Sequence, residues 1–351
     1  MKKLLLLLFL LFIPFKINGL EVSAKSAILM DESGRILYAK DIDTKRLIAS
    51  TTKIMTSIIA IESNRLEEIV TIKEDILKSY GSNIYVTVGE KIKLEDLIYG
   101  LMLRSGNDAA IAISSFVSNS TDDFVKLMNS KAKEIDMKNT YFCNPHGLDE
   151  NCENKSTARD MAILMNYAIK NPVFKRITGT KRHVVKTNLK TYDWYNKNKL
   201  LTTYKYTTGG KTGFTEKAKR TLVTSASKND MNLIAVTLND PNDFTTHKTL
   251  YEYGFNNYKK YLIMSKKKFS LKNDYYDNLY IKNDLYYLFK DDEIDNVYVR
   301  YKLERKDVKD NEKVGVIEIY IGSKKILSED IFININKKKE NIFSRIFKLF
   351  K

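Results

Sequence analysis

The chain has 351 residues and contains little cysteine and little histidine. Its two cysteines, Cys143 and Cys152, flank His146 and are too few for a structural zinc site, which takes four ligands. They are expected either to remain free thiols or, in an exported protein, to form a local disulfide. None of the three histidines lies beside a serine motif, so the sequence offers no histidine-based triad. His146, in the segment NPHGL, is instead expected to structure a loop.

The sequence also lacks a glycine-rich phosphate loop and a nucleic-acid-binding patch. The formal net charge is +16 at pH 7, but the lysines are spread along the chain rather than gathered into one block. For a protein outside the cytoplasm, such a charge attracts anionic lipid or anionic wall polymer. A compositional bias toward lysine is the alternative explanation. We predict no metal, no cofactor and no nucleic acid partner.

An apolar run from Leu4 to about Phe15 follows a basic pair and precedes small residues near Gly19 and Ala24. The run is too short to span a bilayer comfortably, which is typical of a secretory signal peptide. We predict that residues 1–19 form this peptide, with a cleavage site as late as residue 24. An uncleaved N-terminal anchor is the alternative. In both cases most of the chain lies outside the cytoplasm.

The region after the signal peptide is predicted to combine an antiparallel sheet with helices. SAILMDESGRILYAKD predicts a hairpin that turns at residues 32–34, and RTLVTSASKNDMNLIAVTLND predicts a second hairpin of the same sheet. Between them, apolar residues recur at helical spacing after Ser50, over residues 93–103, in AAIAISSFV, over residues 121–137 and in STARDMAILMNYAIK. The last of these helices should be capped by Ser156 or Thr157. The fold class is therefore α/β, of the α+β kind.

The C-terminal third has a different pattern. NVYVRYKLE, VGVIEIYIG and KILSEDIFIN alternate with period two, so residues 261–336 are predicted to form a small all-β domain. Residues 337–351 end in NIFSRIFKLFK, whose apolar residues fall on one arc of a helix and whose cations fall elsewhere. This segment is predicted to be an amphipathic helix that anchors the protein to an anionic membrane surface. Docking of this helix onto the β-domain is the alternative.

Three short motifs occur in the order S-x-x-K, S-x-N and K-T-G. They are Ser50 with Lys53, Ser105 with Asn107, and residues 211–213. The first motif is weak by itself, because four serines of the chain are followed by lysine at the third position. The three motifs in this fixed order, however, match the signature of penicillin-binding proteins and serine β-lactamases.

The local contexts carry the resemblance further. IASTTKIMT, LMLRSGNDAA, NPHGLDE, STARDMA and GGKTGFT resemble blocks of the low-molecular-weight serine D-Ala-D-Ala carboxypeptidases, the peptidase S11 family. KAKRTLVTSASK and LNDPNDF are similar to the branch found in endospore-forming bacteria. The resemblance implies a serine β-lactamase/penicillin-binding-protein-like transpeptidase fold over residues 20–260, with helices on both faces of the sheet and an all-helical subregion. It also implies that the substrate is a peptidoglycan stem peptide and that β-lactam antibiotics inhibit covalently.

Nucleophilic catalysis explains the first motif. A serine hydroxyl is a weak nucleophile and must lose its proton to a base, and residues three apart on a helix share a face, so Lys53 can serve Ser50. Lysine is a base only when it is neutral, which burial and a nearby cation such as Lys211 favour. The backbone N–H of Ser50 can stabilise the oxyanion at the helix start. By resemblance, Ser105 relays a proton to the leaving D-alanine.

The resemblance also assigns substrate-binding residues. Asn107 would hold the substrate backbone, and Lys211 with Thr212 would bind the terminal carboxylate from a sheet edge. Gly213 would let that strand approach the substrate closely, because a side chain there would occupy the same space. The backbone N–H of Phe214 would be the second oxyanion donor.

Two departures from the family pattern affect this assignment. Many relatives carry an arginine for the substrate carboxylate before the block that resembles YGF, whereas here the segment contains His247 and Lys248 but no arginine. The carboxylate contact is therefore open. Many relatives also have glycine-tyrosine where this chain has Lys219 and Arg220, which leaves the surroundings of that strand open.

Two other functions fit the same motifs. A serine β-lactamase shares them but needs a carboxylate to activate the deacylating water, for which Glu150 and Glu153 lie in the comparable stretch. A non-catalytic peptidoglycan-binding protein could keep the fold without the chemistry. The complete set of Ser50, Lys53, Ser105 and Lys211 favours an enzyme.

Overall fold

The computed structural model describes residues 20–335. The predicted signal peptide, residues 1–19, and the predicted anchor helix, residues 337–351, lie outside this range. Within it, no helix has both the length and the apolar character needed to cross a membrane.

The strands of the described chain are, in order, β1 (Ser26–Asp31), β2 (Ile36–Lys40), β3 (Arg46–Leu47), β4 (Ile69–Thr71), β5 (Lys91–Lys93), β6 (Lys155–Ser156), β7 (Arg182–Lys186), β8 (Thr191–Tyr195), β9 (Thr207–Thr215), β10 (Lys219–Lys228), β11 (Met231–Leu238), β12 (Lys259–Met264), β13 (Leu279–Tyr280), β14 (Leu285–Phe289), β15 (Val297–Leu303), β16 (Lys313–Ile321) and β17 (Lys324–Ile333).

The α-helices are α1 (Lys53–Glu62), α2 (Leu94–Tyr99), α3 (Asn107–Ser118), α4 (Thr121–Glu134), α5 (Ala158–Ala168), α6 (Pro172–Gly179), α7 (Leu200–Thr203) and α8 (Asp243–Asn257). Short 3₁₀ turns cover Ala49–Thr52, Glu74–Lys78 and Asp291–Asn296, and a π-helical turn covers Gly100–Arg104.

A five-stranded antiparallel sheet, in the order β2-β1-β11-β10-β9, forms the centre of the first domain. Side chains alternate between the two faces of a strand, and in β1 Ile28 packs with the helical layer around α1 while Leu29 packs with Leu250 and Tyr251 of α8. Both faces are therefore covered by helices. The expected antiparallel sheet, its two hairpins and its layered fold are confirmed.

Helix α1 lies inside the helical layer and is buried on every side. Ile54, Met55 and Ile58 have no exposed surface, because helices α2 to α5 surround them. The helix does not begin at Ser50 as the apolar pattern suggested. Ser50 belongs to a 3₁₀ turn, and the α-helix starts at Lys53. This turn leaves Ser50 partly exposed at the end of a buried helix.

The C-terminal part of the described chain is all-β, as its period-two alternation predicts. Strands β15, β16 and β17 form one antiparallel sheet with β13, and β12 pairs with β14. Its core contains Val314, Ile317, Ile319 and Ile331, which have no exposed surface. The domain boundary near residue 261 remains a prediction.

Candidate active site

Lys53 is the centre of a buried hydrogen-bonding group. Its Nζ atom lies 3.0 Å from Ser50 Oγ, 2.7 Å from Asn107 Oδ1 and 2.5 Å from the carbonyl oxygen of His146. The lysine has no exposed surface, so the flexible side chain is held in one place. The structure thus brings together the first two motifs, which the sequence separates by more than fifty positions.

The environment of Lys53 favours the neutral amine. Burial lowers its pKa well below the ordinary value, and the positive charges of Lys211 and Lys197 lower it further. Burial, with the charge of Lys197, also lowers the pKa of Lys211 to about 7. The expectation that Lys211 would help Lys53 to act as a base is therefore supported by the electrostatics.

The second motif sits where a helix changes course. The π-helical turn ends at Ser105, whose φ of 67° is in the left-handed region, and α3 begins at Asn107. Such turns and such backbone angles are common at functional sites because they redirect a side chain. Ser105 thereby lines the same cavity as Ser50.

Asn107 is engaged by the protein on both sides of its amide. Its Oδ1 accepts from Lys53, and its Nδ2 donates to the carbonyl oxygen of Tyr80 at 2.6 Å. Its side chain is buried, and it is absent from the cavity lining. The structure gives Asn107 the position of a residue that holds Lys53 in place, whereas the resemblance gave it a contact with the substrate backbone.

The third motif lies on the edge strand β9, beside the Ser50 turn. A Cβ atom on Gly213 would lie 3.0 Å from Ser50 N, 3.1 Å from Thr51 N and 2.4 Å from Thr221 Oγ1. Glycine is therefore required for a contact with the backbone of the Ser50 turn, in addition to the expected approach to a substrate. The next residue, Phe214, is half-exposed and pairs with Arg220 of β10.

Lys211 and Thr212 differ in their access to the cavity. Thr212 lines it, but Lys211 is 1% exposed, is not among the lining residues and donates to the carbonyl oxygen of Thr212 at 2.8 Å. Because side chains alternate along a strand, Lys211 and Gly213 share one face of β9 and Thr212 shares the other with Phe214. Lys211 thus lies on the face of β9 that Gly213 turns toward Ser50, and its charge acts on Lys53.

A cavity of about 310 Å³ opens over these groups. Its lining combines the two motif serines, the edge strand and several cations: Ser50, Ser82, Ser105, Lys197, Lys199, Thr212, Gly213, Phe214, Arg220, Asp243 and Phe244. Asp243 is the one carboxylate in this lining, and it forms an ion pair with Arg220. The cavity is therefore positively charged and suited to an anionic ligand.

The carboxylate contact was left open by the sequence, and the structure places Arg220 at the cavity. His247 has no exposed surface and contacts Thr224 Oγ1 through Nδ1 at 2.7 Å, and neither His247 nor Lys248 lines the cavity. Arg220 lines it instead, because the β9–β10 register places it opposite Phe214, and its Nη2 donates to Asp243 Oδ1 at 2.8 Å. In the sequence, this arginine is only a departure from the family pattern.

A loop over residues 143–152 contacts Lys53. Cys143 and Cys152 form a disulfide with a Cα–Cα distance of 6.2 Å, so the alternative of free thiols is wrong. Leu148 N donates to His146 Nδ1, and Lys53 donates to the His146 carbonyl, which supports the expected loop-structuring role. No group of residues in the described chain could hold a metal ion.

The carboxylates considered for a β-lactamase do not reach the cavity. Glu150 is exposed and lies beside the hydroxyl of Tyr80. Glu153 forms an ion pair with Lys155 at 2.8 Å. Neither residue is among the cavity lining, and both have partners away from Ser50.

An antiparallel sheet covered by helices on both faces is the fold of the penicillin-binding proteins. In this chain a buried lysine lies beside a serine next to the edge strand of that sheet. A family model described as D-alanyl-D-alanine carboxypeptidase, peptidase S11, matches residues 14–242. The chain belongs to this family.

Individual relatives agree with this assignment. The chain is 38% identical to the D-alanyl-D-alanine carboxypeptidase DacF of Bacillus subtilis (strain 168) over 220 residues, which are 61% of this chain and 56% of that protein. It is 34% identical to a D-alanyl-D-alanine carboxypeptidase of Streptomyces sp. (strain K15), over 59% of this chain and 77% of that protein. The crystal structure of penicillin binding protein 5 from Haemophilus influenzae superposes with a TM-score of 0.78 and 28% identity, covering 91% of this chain and 98% of the other.

Proposed function

We propose that the protein is a serine D-Ala-D-Ala carboxypeptidase that removes the terminal D-alanine from peptidoglycan stem peptides. The observation that carries this proposal is the 3.0 Å contact between Ser50 Oγ and a fully buried Lys53 whose pKa is lowered. That contact supplies a nucleophile and a neutral base in one site. Ser50 therefore attacks the carbonyl carbon between the two D-alanines, and β-lactams acylate the same oxygen.

The reaction proceeds in two acyl-transfer steps. Ser50 Oγ bonds to the carbonyl carbon as its proton passes to Lys53 Nζ, and the resulting oxyanion is stabilised by the amides of Ser50 and Phe214. The C–N bond then breaks as a proton, relayed by Ser105, reaches the leaving amine. Water then takes the place of the amine: it bonds to the acyl carbon as it gives up a proton through Ser105, the bond from that carbon to Ser50 Oγ breaks, and Oγ takes a proton from Lys53. The shortened peptide leaves, and the Ser50 hydroxyl is restored.

The substrate carboxylate binds between Thr212 and Arg220. Both residues line the cavity. Arg220 pairs with Phe214, and Thr212 lies two residues before Phe214 on the same strand. The side chains of Thr212 and Arg220 therefore lie on one face of the sheet. Asp243 accepts from one nitrogen of the Arg220 guanidinium, Nη2. The other N–H groups of the guanidinium can then donate to the ligand. Lys211 is buried beside Thr212 and contributes positive charge while it is protonated.

Release of D-alanine tests the proposed function. The purified protein, incubated with a pentapeptide ending in D-Ala-D-Ala, is expected to release one equivalent of D-alanine. The matched control is the same peptide ending in L-alanine, which should remain intact. No release from the first peptide, or equal release of alanine from both, would contradict the proposal. With a chromogenic β-lactam, slow and persistent acylation is expected, whereas many rapid turnovers would indicate a β-lactamase.

We also propose that the protein is exported and stays on the outer face of the cytoplasmic membrane through residues 337–351. The support is in the sequence, since this segment carries cations and six large apolar residues, Ile342, Phe343, Ile346, Phe347, Leu349 and Phe350. Removal of residues 337–351 should release the protein into the soluble fraction without changing the rate on a soluble peptide. Retention of the shortened protein on anionic vesicles at high salt would contradict this anchor.

A further inference from the structure

The disulfide closes a loop whose inner polar group is tied to both sulfur atoms. Asn144 Nδ2 lies 3.3 Å from Cys152 Sγ and 3.6 Å from Cys143 Sγ, and it donates to the carbonyl oxygen of Leu148 at 2.8 Å. Asn144 Oδ1 accepts from the backbone N–H of Gly147 at 2.7 Å. The backbone at the start of the loop is also held by Asn154, whose Oδ1 accepts from the N–H groups of Cys143 and Asn144. The cystine and Asn144 constrain the path from there to residue 148.

That backbone path holds the catalytic helix. The carbonyl oxygen of His146 accepts from Lys53 Nζ at 2.5 Å, and the carbonyl oxygen of Pro145 accepts from Thr56 Oγ1 at 2.6 Å. Gly147, with a φ of 92°, passes so close to Ala49 that a Cβ would lie 2.0 Å from the Ala49 carbonyl oxygen. The loop thus fixes both the amine of the base and the turn that carries Ser50.

The same loop also reaches the strand on the opposite side of the site. Asp149 Oδ2 accepts from Thr215 Oγ1 at 2.5 Å, and the Asp149 carbonyl oxygen accepts from Lys217 Nζ at 3.0 Å. Thr215 directly follows Phe214, whose amide is assigned to the oxyanion. A single closed loop therefore connects the base and the oxyanion strand.

From these contacts we infer that the Cys143–Cys152 disulfide is a positioning element of the active site, and that its reduction by a dithiol slows acylation of Ser50. A crosslink restricts the conformations of the segment it closes, and groups held by that segment lose their geometry when it opens. The two cysteines are half-buried, while Glu150 and Asn151 beside them are exposed, so a small reductant can reach the bond. This inference rests on the proposed function.

The redox step is ordinary thiol–disulfide exchange. One thiolate of the dithiol attacks a sulfur of the cystine, a mixed disulfide forms, and the other protein sulfur leaves as a thiolate. The second thiol of the reductant then displaces the protein from the mixed disulfide. The dithiol is oxidised to a disulfide, and Cys143 and Cys152 are each reduced to a thiol.

The test compares the full protein before and after reduction with dithiothreitol. Titration of two thiols per chain confirms reduction, and the rate of acylation by a fluorescent penicillin is then measured. We expect the reduced protein to be acylated about 10-fold more slowly, since small displacements of catalytic groups cost this much or more. Reoxidation should restore the rate. The matched control is the double variant Cys143→Ser, Cys152→Ser, whose rate should equal that of the reduced protein and should not respond to dithiothreitol.

A pH profile separates positioning from a general effect on folding. Lys211, Lys197 and Asp108 act on the charge of Lys53, but burial is the largest cause of its lowered pKa. A loosened loop admits water, which raises that pKa, so the acidic limb of the acylation profile should move to higher pH on reduction.

Two results would overturn the inference: an unchanged acylation rate in protein with two titrated thiols, or global unfolding of the reduced protein at the assay temperature. The oxidised protein serves as the reference for the proposed function. If it releases no D-alanine and forms no penicillin adduct, the proposed function fails rather than the role of the disulfide.

Discussion

The two hydrogens of a neutral Lys53 amine have acceptors other than Ser50. Asn107 Oδ1 and the carbonyl oxygen of His146 lie 2.7 Å and 2.5 Å from Nζ, so they can take both hydrogens. The remaining lone pair then faces Ser50 Oγ at 3.0 Å and can accept its proton. The surroundings of Lys53 therefore orient its amine as the proposed base requires, as well as lower its pKa.

Replacement of Lys53 by arginine tests this arrangement. Arginine keeps a positive charge and a long side chain but is not neutral at any working pH, so it cannot accept the serine proton. We expect Lys53→Arg to slow acylation by a fluorescent penicillin by about 1000-fold, the range that general-base catalysis supplies. Thermal unfolding of the variant checks that it is folded. Near-normal acylation would show that Lys53 is structural.

Gly213 offers a steric test of the oxyanion strand. In Gly213→Ala the new methyl group meets Ser50 N, Thr51 N and Thr221 Oγ1, so β9 must shift and carry the Phe214 amide with it. We expect acylation to fall by about 100-fold or more, as for loss of one oxyanion donor. The matched control adds Thr221→Ala, which removes one of the three contacts. If this double variant regained the wild-type rate, the contact with the Ser50 turn would not matter.

Arg220 can be tested with a change in the substrate. Loss of a hydrogen bond to a charged group costs about 1.5–3 kcal/mol, so Arg220→Ala should lower kcat/KM about 10-fold to 100-fold on a peptide ending in D-Ala-D-Ala. The loss should be much smaller on the same peptide with a terminal amide. Lys219→Ala is the control, because Lys219 is exposed and does not line the cavity. Equal losses on both peptides would mean that Arg220 does not bind the carboxylate.

The buried Lys211 should make stability depend on pH. Its pKa is about 7 in the folded chain and is near 10.5 for a free lysine, so between these values the unfolded chain binds a proton that the folded chain does not. The free energy of unfolding should then rise with pH, by about 1.4 kcal/mol per pH unit from this lysine. Urea unfolding at pH 7, 8 and 9 should show a smaller rise for Lys211→Met than for the wild type. Equal slopes would indicate that Lys211 stays charged in the folded protein.

The sequence predicts structure correctly where the pattern involves residues that are close together in the chain. Ser50 with Lys53, the apolar period of α1, the Thr157 cap of α5 and the two hairpins of the main sheet depend on neighbouring residues, and the structure contains them. The C-terminal strands followed from their alternation in the same way.

The sequence did not predict contacts that depend on the register between strands or on packing between residues far apart in the chain. Arg220 reaches the cavity because β10 pairs with β9 in one particular register, and the chain before it gives no sign of that register. His247 is buried because α8, which the sequence analysis did not predict, covers the sheet. The cysteines could not be assigned, since spacing alone does not bring two thiols together.

The most direct test of the account is the site of acylation. The wild-type protein, incubated with benzylpenicillin and examined by intact mass and then by peptide mass mapping, should gain one penicilloyl group, attached to Ser50. Ser50→Ala should gain none and should release no D-alanine, while its thermal unfolding stays close to that of the wild type. An adduct on another residue, or an adduct that persists in Ser50→Ala, would contradict the assignment of Ser50 as the nucleophile.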